Sequence, residues 1–129
     1  MNELEERAVW FKHNGRNCCQ SVTEALTENN MPEGIATDAL NRLASGFRTG
    51  MGGMEATCGA LCGAVMVAGL RTGGMEAGKL AKEMHQRFTE LSGASICKVL
   101  KSRGADGKIV CECDDCVRHA VRAYQETMQ

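Results

Sequence analysis

The sequence predicts an all-α fold, a compact bundle of about six helices around one glycine- and cysteine-rich central helix. Three observations predict it. Apolar residues recur at helical spacing in successive stretches of the chain. No stretch reads as a strand. Residues 54–70 run without proline and with Glu55 as their only charge, as a buried central helix would. The chain has 129 residues, enough to bury an ordinary core, and residues 1–129 read as one domain.

In order, Leu4, Ala8 and Phe11 set a first helix that ends near His13, Asn14 and Gly15. His13 falls at the C-terminus of that helix, where an imidazole serves as a cap. Asn17 opens a second helix, with Gln20 completing a capping box and Val22, Ala25 and Leu26 continuing its apolar face. A loop holding the only proline, Pro32, leads to a third helix from about Thr37 that buries Ala36, Leu40, Leu43 and Phe47.

Gly50, Gly52 and Gly53 then precede the central helix, Met54 to Leu70. Within it, Cys58 and Cys62 lie four apart on one face, and Gly59 and Gly63 form a stripe beside them. A glycine inside a helix costs about 1 kcal/mol relative to alanine. Close approach of another backbone or of a bound group offsets such a cost, which makes Gly59 and Gly63 candidate cofactor contacts. Ala77, Leu80, Ala81, Met84, Phe88 and Leu91 give a strongly amphipathic fifth helix, stopped by Gly93, with His85 off its apolar stripe. Cys97 sits on a short helix, Asp106 and Gly107 form a loop, and a last helix runs from near Asp114 to Glu126, burying Val117, Ala120, Val121 and Tyr124.

The formal net charge is −1, which does not favour nucleic acid or an anionic membrane as partner. The first residues carry Glu3, Glu5, Glu6 and Arg7 and no apolar core, so no signal peptide is expected. The apolar run 56–70 is shorter than the roughly 20 residues of a membrane span. A soluble, cytoplasmic protein is the expectation. No dinucleotide fingerprint, phosphate-binding loop, H-E-x-x-H or Ser/His/Asp grouping is present.

Eight cysteines carry the chemistry. A reducing compartment disfavours a disulfide framework and points to metal binding or thiol redox work, although cysteine also fills small core gaps. Cys18 and Cys19 occupy the first turn of a helix just after Arg16, where backbone N–H groups favour a thiolate. They are the expected low-pKa thiols. Cys113 and Cys116 have the C-x-x-C spacing of a redox or metal site, and His119 shares their face. The acidic neighbours Glu112, Asp114 and Asp115 oppose a thiolate there.

Asn17-Cys18-Cys19-Gln20-Ser21-Val22, Cys58-Gly59-Ala60-Leu61-Cys62-Gly63, Cys97 and the final cysteine cluster together resemble the C_GCAxxG_C_C family of redox-active proteins. The pattern spans nearly the whole chain. The resemblance puts the four family cysteines on Cys18, Cys58, Cys97 and Cys113, with Cys111 and Cys116 as competitors for the last, and leaves Cys19 and Cys62 as extras. It implies a helical redox protein linked to transport genes, hence a candidate partner in a transport system, and convergence of these cysteines on one site.

Three functions follow as expectations. A thiol–disulfide protein would use Cys18 or Cys19 as attacking thiolate and Cys58 or Cys97 as resolving partner, with a redox partner that the sequence does not name. A metal protein would hold zinc or an iron–sulfur cluster on Cys18, Cys58, Cys97, and Cys113 or Cys116. A structural helical module, monomeric or homo-oligomeric, would bury inert thiols.

Overall fold

Asn2 starts the first helix by accepting a hydrogen bond from the Glu5 N–H at 2.7 Å. A computed structural model describes residues 2–129 and, among them, seven α-helices and one π-helical turn, with no strand. The helices are α1 (Glu3–Lys12), α2 (Cys18–Thr27), α3 (Thr37–Ala44), α4 (Gly59–Thr72), α5 (Ala77–Ser92), α6 (Cys97–Leu100) and α7 (Cys113–Thr127). The all-α expectation holds; the bundle has one more helix than about six, and a π turn spans Gly50–Met54. No helix among the described residues is long and apolar enough to cross a membrane.

Helix α2 lies at the centre with α4. Its capping box forms as the sequence requires: the Asn17 side chain accepts from the Gln20 N–H at 2.8 Å, and Gln20 accepts from the Asn17 N–H at 3.1 Å. Every residue from Cys19 to Thr27 except Gln20 is buried. Helix α4 packs on α2, α5 and α7, and α1 packs on α2 and α7. The core fills with Val22, Leu26, Leu61, Val67, Met84, Phe88, Val117 and Val121. Two charged groups are buried with a partner each: Arg122 donates to the two carboxylate oxygens of Glu5 at 3.1 and 3.2 Å, and Arg16 to those of Glu24 at 3.0 and 3.1 Å.

Three expectations are corrected. The central helix begins at Gly59, because Met54 has φ of 66° and residues 56–58 run extended beside 95–97. There Thr57 bridges Ile96, the Cys58 N–H donates to the Ser95 carbonyl at 2.8 Å and the Cys97 N–H donates to the Ala56 carbonyl at 3.0 Å. The helix continues to Thr72, where Gly73 takes φ of 65° and ends it. Helix α3 buries Leu40 and Ala44 but leaves Ala36 and Leu43 exposed, since it rests on α2 by a single narrow face. Tyr124 is only half-buried, its hydroxyl accepting from Arg71 Nε at 3.2 Å, and Ala123 takes the buried place instead.

The glycines of α4 serve backbone contact. A Cβ on Gly63 would lie 2.7 Å from the Cys19 carbonyl oxygen, and one on Gly59 would overlap the Phe47 carbonyl oxygen. In both cases the close neighbour is backbone, so α4 seats against α2 and the 46–47 loop without intervening side chains.

Candidate functional site

Four thiols stand at helix starts. Cys18 and Cys113 are the first residues of α2 and α7, Cys97 is the first of α6, and Cys58 holds the N-cap position of α4. The bundle turns these starts toward one another. Cys18, Cys58, Cys97, Cys113 and Cys116 line a single pocket together with Thr49, Gly59, Leu100 and Lys101. The free space among them is about 10 Å³, so the sulfurs face each other at close quarters. Cys19 and Cys62 lie away from it: Cys19 contacts the Met66 sulfur at 3.9 Å, and Cys62 reaches the Thr57 carbonyl at 3.9 Å.

The thiols divide into two groups. In the outer pair, Cys18 and Cys113 line the same pocket. The neighbouring Cys18 thiol, first of all, lowers Cys113 to a pKa of about 5; burial opposes it, and the Lys101 and Lys12 ammonium groups add to it. Cys18 is correspondingly pushed up by the Cys113 sulfur, by burial and by the neighbouring Cys58 sulfur. Lys101 is held above its usual range: burial works against its charge, and the Cys113 and Cys97 sulfurs outweigh burial. Cys97 itself is raised by burial, with Lys101 opposing.

The inner group is Cys58, Cys116 and Cys111, all buried. The Cys116 thiol donates to the Cys111 carbonyl at 3.8 Å, and the neighbouring Cys111 and Cys58 sulfurs together with burial keep its proton on. Cys58 is lowered by the Cys116 thiol against the effect of burial, with help from the N–H groups of Ala60 and Leu61 at the start of α4. Cys111 falls to about 5, through Cys116 first, against burial, and then through His119 and Ser92. His119 Nδ1 lies 3.7 Å from the Cys111 sulfur and 2.8 Å from the Ser92 hydroxyl.

The thiols held low are therefore Cys113, Cys111 and Cys58, whereas Cys18 and Cys19 are raised. A helix start does favour an anion at Cys18, but the neighbouring Cys113 sulfur and burial outweigh it. Cys19 is wholly buried, and burial with the nearby Cys62 and Cys58 lifts it to about 12. The acidic run does not suppress Cys113, because its carboxylates turn elsewhere. Asp114 pairs with Lys12 at 3.3 Å and His13 at 2.9 Å, and Asp115 with Arg118 at 2.9 Å. His13 is the cap of α1, as expected, and gains this partner too. Cys113 and Cys116 of the C-x-x-C both line the pocket, and Cys18 shares that pocket with Cys58 and Cys97 as well as with Cys113.

Lys101 and Lys12 were missed. Lys101 follows Cys97 by four residues, a helical spacing that places the two side by side. Lys12 arrives only through the packing of α1 on α7. Zinc or an iron–sulfur cluster needs several thiolates around one centre. Among the described residues no three His, Cys, Asp or Glu side chains are grouped so as to hold a metal ion.

No curated protein and no solved structure matches this chain. A family model does, over residues 16–127, a span that takes in all eight cysteines. The chain belongs to the family described as "Putative redox-active protein (C_GCAxxG_C_C)".

Proposed function

We propose that this chain is a thiol–disulfide exchange protein whose working dithiol is Cys113 with Cys18. The observation that carries the reading is their placement: Cys18 and Cys113 line both the thiol pocket and the adjoining cleft, with Lys101 and Lys12 in the lining beside them. A thiolate is the nucleophile in exchange, and its pKa must lie near or below ambient pH for it to be present. Cys113 meets that condition and is half-buried, whereas Cys111, equally acidic, is buried.

The chemistry balances with a disulfide as oxidant. The Cys113 thiolate attacks one sulfur of the incoming disulfide, forming a mixed disulfide and expelling one thiolate, which takes up a proton. Cys18, losing its proton, then attacks the Cys113 sulfur, expels the second thiol and closes a Cys18–Cys113 bond. Two electrons pass from the dithiol to the substrate. A reductant returns the protein to its starting state, a cycle that suits the cytoplasm.

Mass spectrometry of intact protein purified without air, before and after mild oxidation, tests this. The expected result is reversible loss of two hydrogens, with peptide mapping locating the bond between residues 18 and 113. A bond mapped to other cysteines, or a mass excess matching zinc or an iron–sulfur cluster, overturns the assignment.

A further inference from the structure

Exchange through Cys113 leaves the substrate class open, and the inference here rests on that reading. Next to the thiol pocket, and sharing Cys18, Cys113, Thr49 and Lys101 with it, is an open cleft of about 210 Å³. Its remaining lining is Lys12, Arg16, Asn17 and Arg48. Four cations and no carboxylate therefore face the space through which Cys113 is reached.

Two of the cations already have partners. Lys12 lies 3.3 Å from Asp114, and Arg16 donates to the buried Glu24 at 3.0 and 3.1 Å. Arg48 and Lys101 have no carboxylate partner among the described residues. Arg48 is exposed, in the loop after α3; Lys101 is half-buried, at the end of α6 beside Cys113. They come from different elements and line the cleft together with Cys113.

We infer that the disulfide reduced by this dithiol is a small anionic one, carrying a carboxylate near its S–S bond that Arg48 and Lys101 receive. Charge and size both argue for this. A carboxylate there gains two cations without a carboxylate partner, Lys101 beside the Cys113 sulfur and Arg48, a guanidinium able to bind it through two parallel hydrogen bonds. The cleft is smaller than the roughly 300–1,000 Å³ of sites for drug-sized ligands, which suits a compact molecule over a folded substrate. A cationic cleft also concentrates anions and raises their rate of encounter. A substrate carboxylate at Lys101 leaves its sulfur beside Cys113, where the first exchange step occurs.

The test compares three small disulfides of similar reactivity and different charge: dithiodiglycolate (dianionic), 2-hydroxyethyl disulfide (neutral) and cystamine (dicationic). Each is mixed with the reduced full chain at low ionic strength, and the oxidation rate is followed by thiol release. The expected order is dithiodiglycolate first, faster than the neutral compound by about tenfold or more, and cystamine last. That ratio should shrink toward one in about 1 M salt, where charges are screened over roughly 3 Å. Arg48→Ala should also reduce it by several-fold, and the salt series on the unmodified chain gives the same reading without a variant. Equal rates for the anionic and neutral compounds, with the 18–113 bond still forming, overturn the substrate class and leave the exchange reading standing. If none of the three yields the 18–113 bond, the exchange reading falls and this inference with it. A cystine peptide flanked by aspartates that outpaces dithiodiglycolate assigns an acidic polypeptide substrate and overturns the small-molecule assignment.

Discussion

The outer Cys18–Cys113 pair and the inner Cys58–Cys116–Cys111 group both draw a thiol from the first turn of α7, three residues apart. Their surroundings differ. Cys113 is half-buried beside Lys101 and opens on a cationic cleft, whereas Cys116 is buried near the Cys58 and Cys111 sulfurs and keeps its proton. The inner group also has an acidic thiol, Cys111, but His119 and Ser92 rather than lysines accompany it, and it is buried. A low pKa is therefore insufficient for reactivity in this molecule; what separates the two groups is access and the charge that lines it.

The comparison can be broken in several ways. The largest effect is expected from Cys113→Ser, which should slow disulfide reduction by roughly two orders of magnitude or more, while Cys116→Ser leaves the rate within about threefold. Stopped-flow measurement of thiol release checks both, and equal losses would erase the distinction between the groups. Gly63→Ala acts on the packing beneath them. The added methyl would press on the Cys19 carbonyl at 2.7 Å, so a loss of about 1–3 kcal/mol in chemical denaturation is expected.

Lys101→Ala sharpens the electrostatic half of the comparison. The thiolate of Cys113 is present above a pKa of about 5 and disappears as pH falls through it. Removing the ammonium raises that pKa, so at mildly acidic pH alkylation of Cys113 should slow, about tenfold for each unit gained. Cys111, which Lys101 does not influence, should keep its profile; a parallel shift at both sites would contradict the arrangement. The smallest effect belongs to Ser92→Ala. It removes the 2.8 Å hydrogen bond to His119 and should cost about 0.5–1.5 kcal/mol of stability without changing exchange at Cys113.

Helix identity was largely legible because caps and periodicity are local. Asn17 and Gln20 announce α2, Gly93 stops α5 with φ of 90°, and Met84 and Phe88 mark the buried face of α5. The start of α4 was illegible for the opposite reason. Residues 54–58 look helical in composition, but their backbone pairs with 95–97, a contact made across some forty residues of chain. Leu43 illustrates the limit of periodicity: it lies on an apolar stripe, yet nothing packs over that side of α3. At the site, residue types were legible and partnerships were not. The C-x-x-C spacing pointed to Cys113 and Cys116, while the packing of α2 and α4 against α7 is what adds Cys18 and Cys58 to the same pocket. The acidity of Cys113 depended on where Asp114 and Asp115 turn, which His13, Lys12 and Arg118 decide.

The separation of Cys18 and Cys113 along the chain gives their pairing a thermodynamic consequence. Ninety-four residues lie between Cys18 and Cys113, so a bond joining them would enclose most of the polypeptide in one ring. In the chain-entropy account, a ring of about a hundred residues removes enough freedom from the unfolded state to favour folding by about 4–5 kcal/mol. Oxidation would then report itself as heat resistance: the redox state of two sulfur atoms would set the melting temperature of the whole bundle.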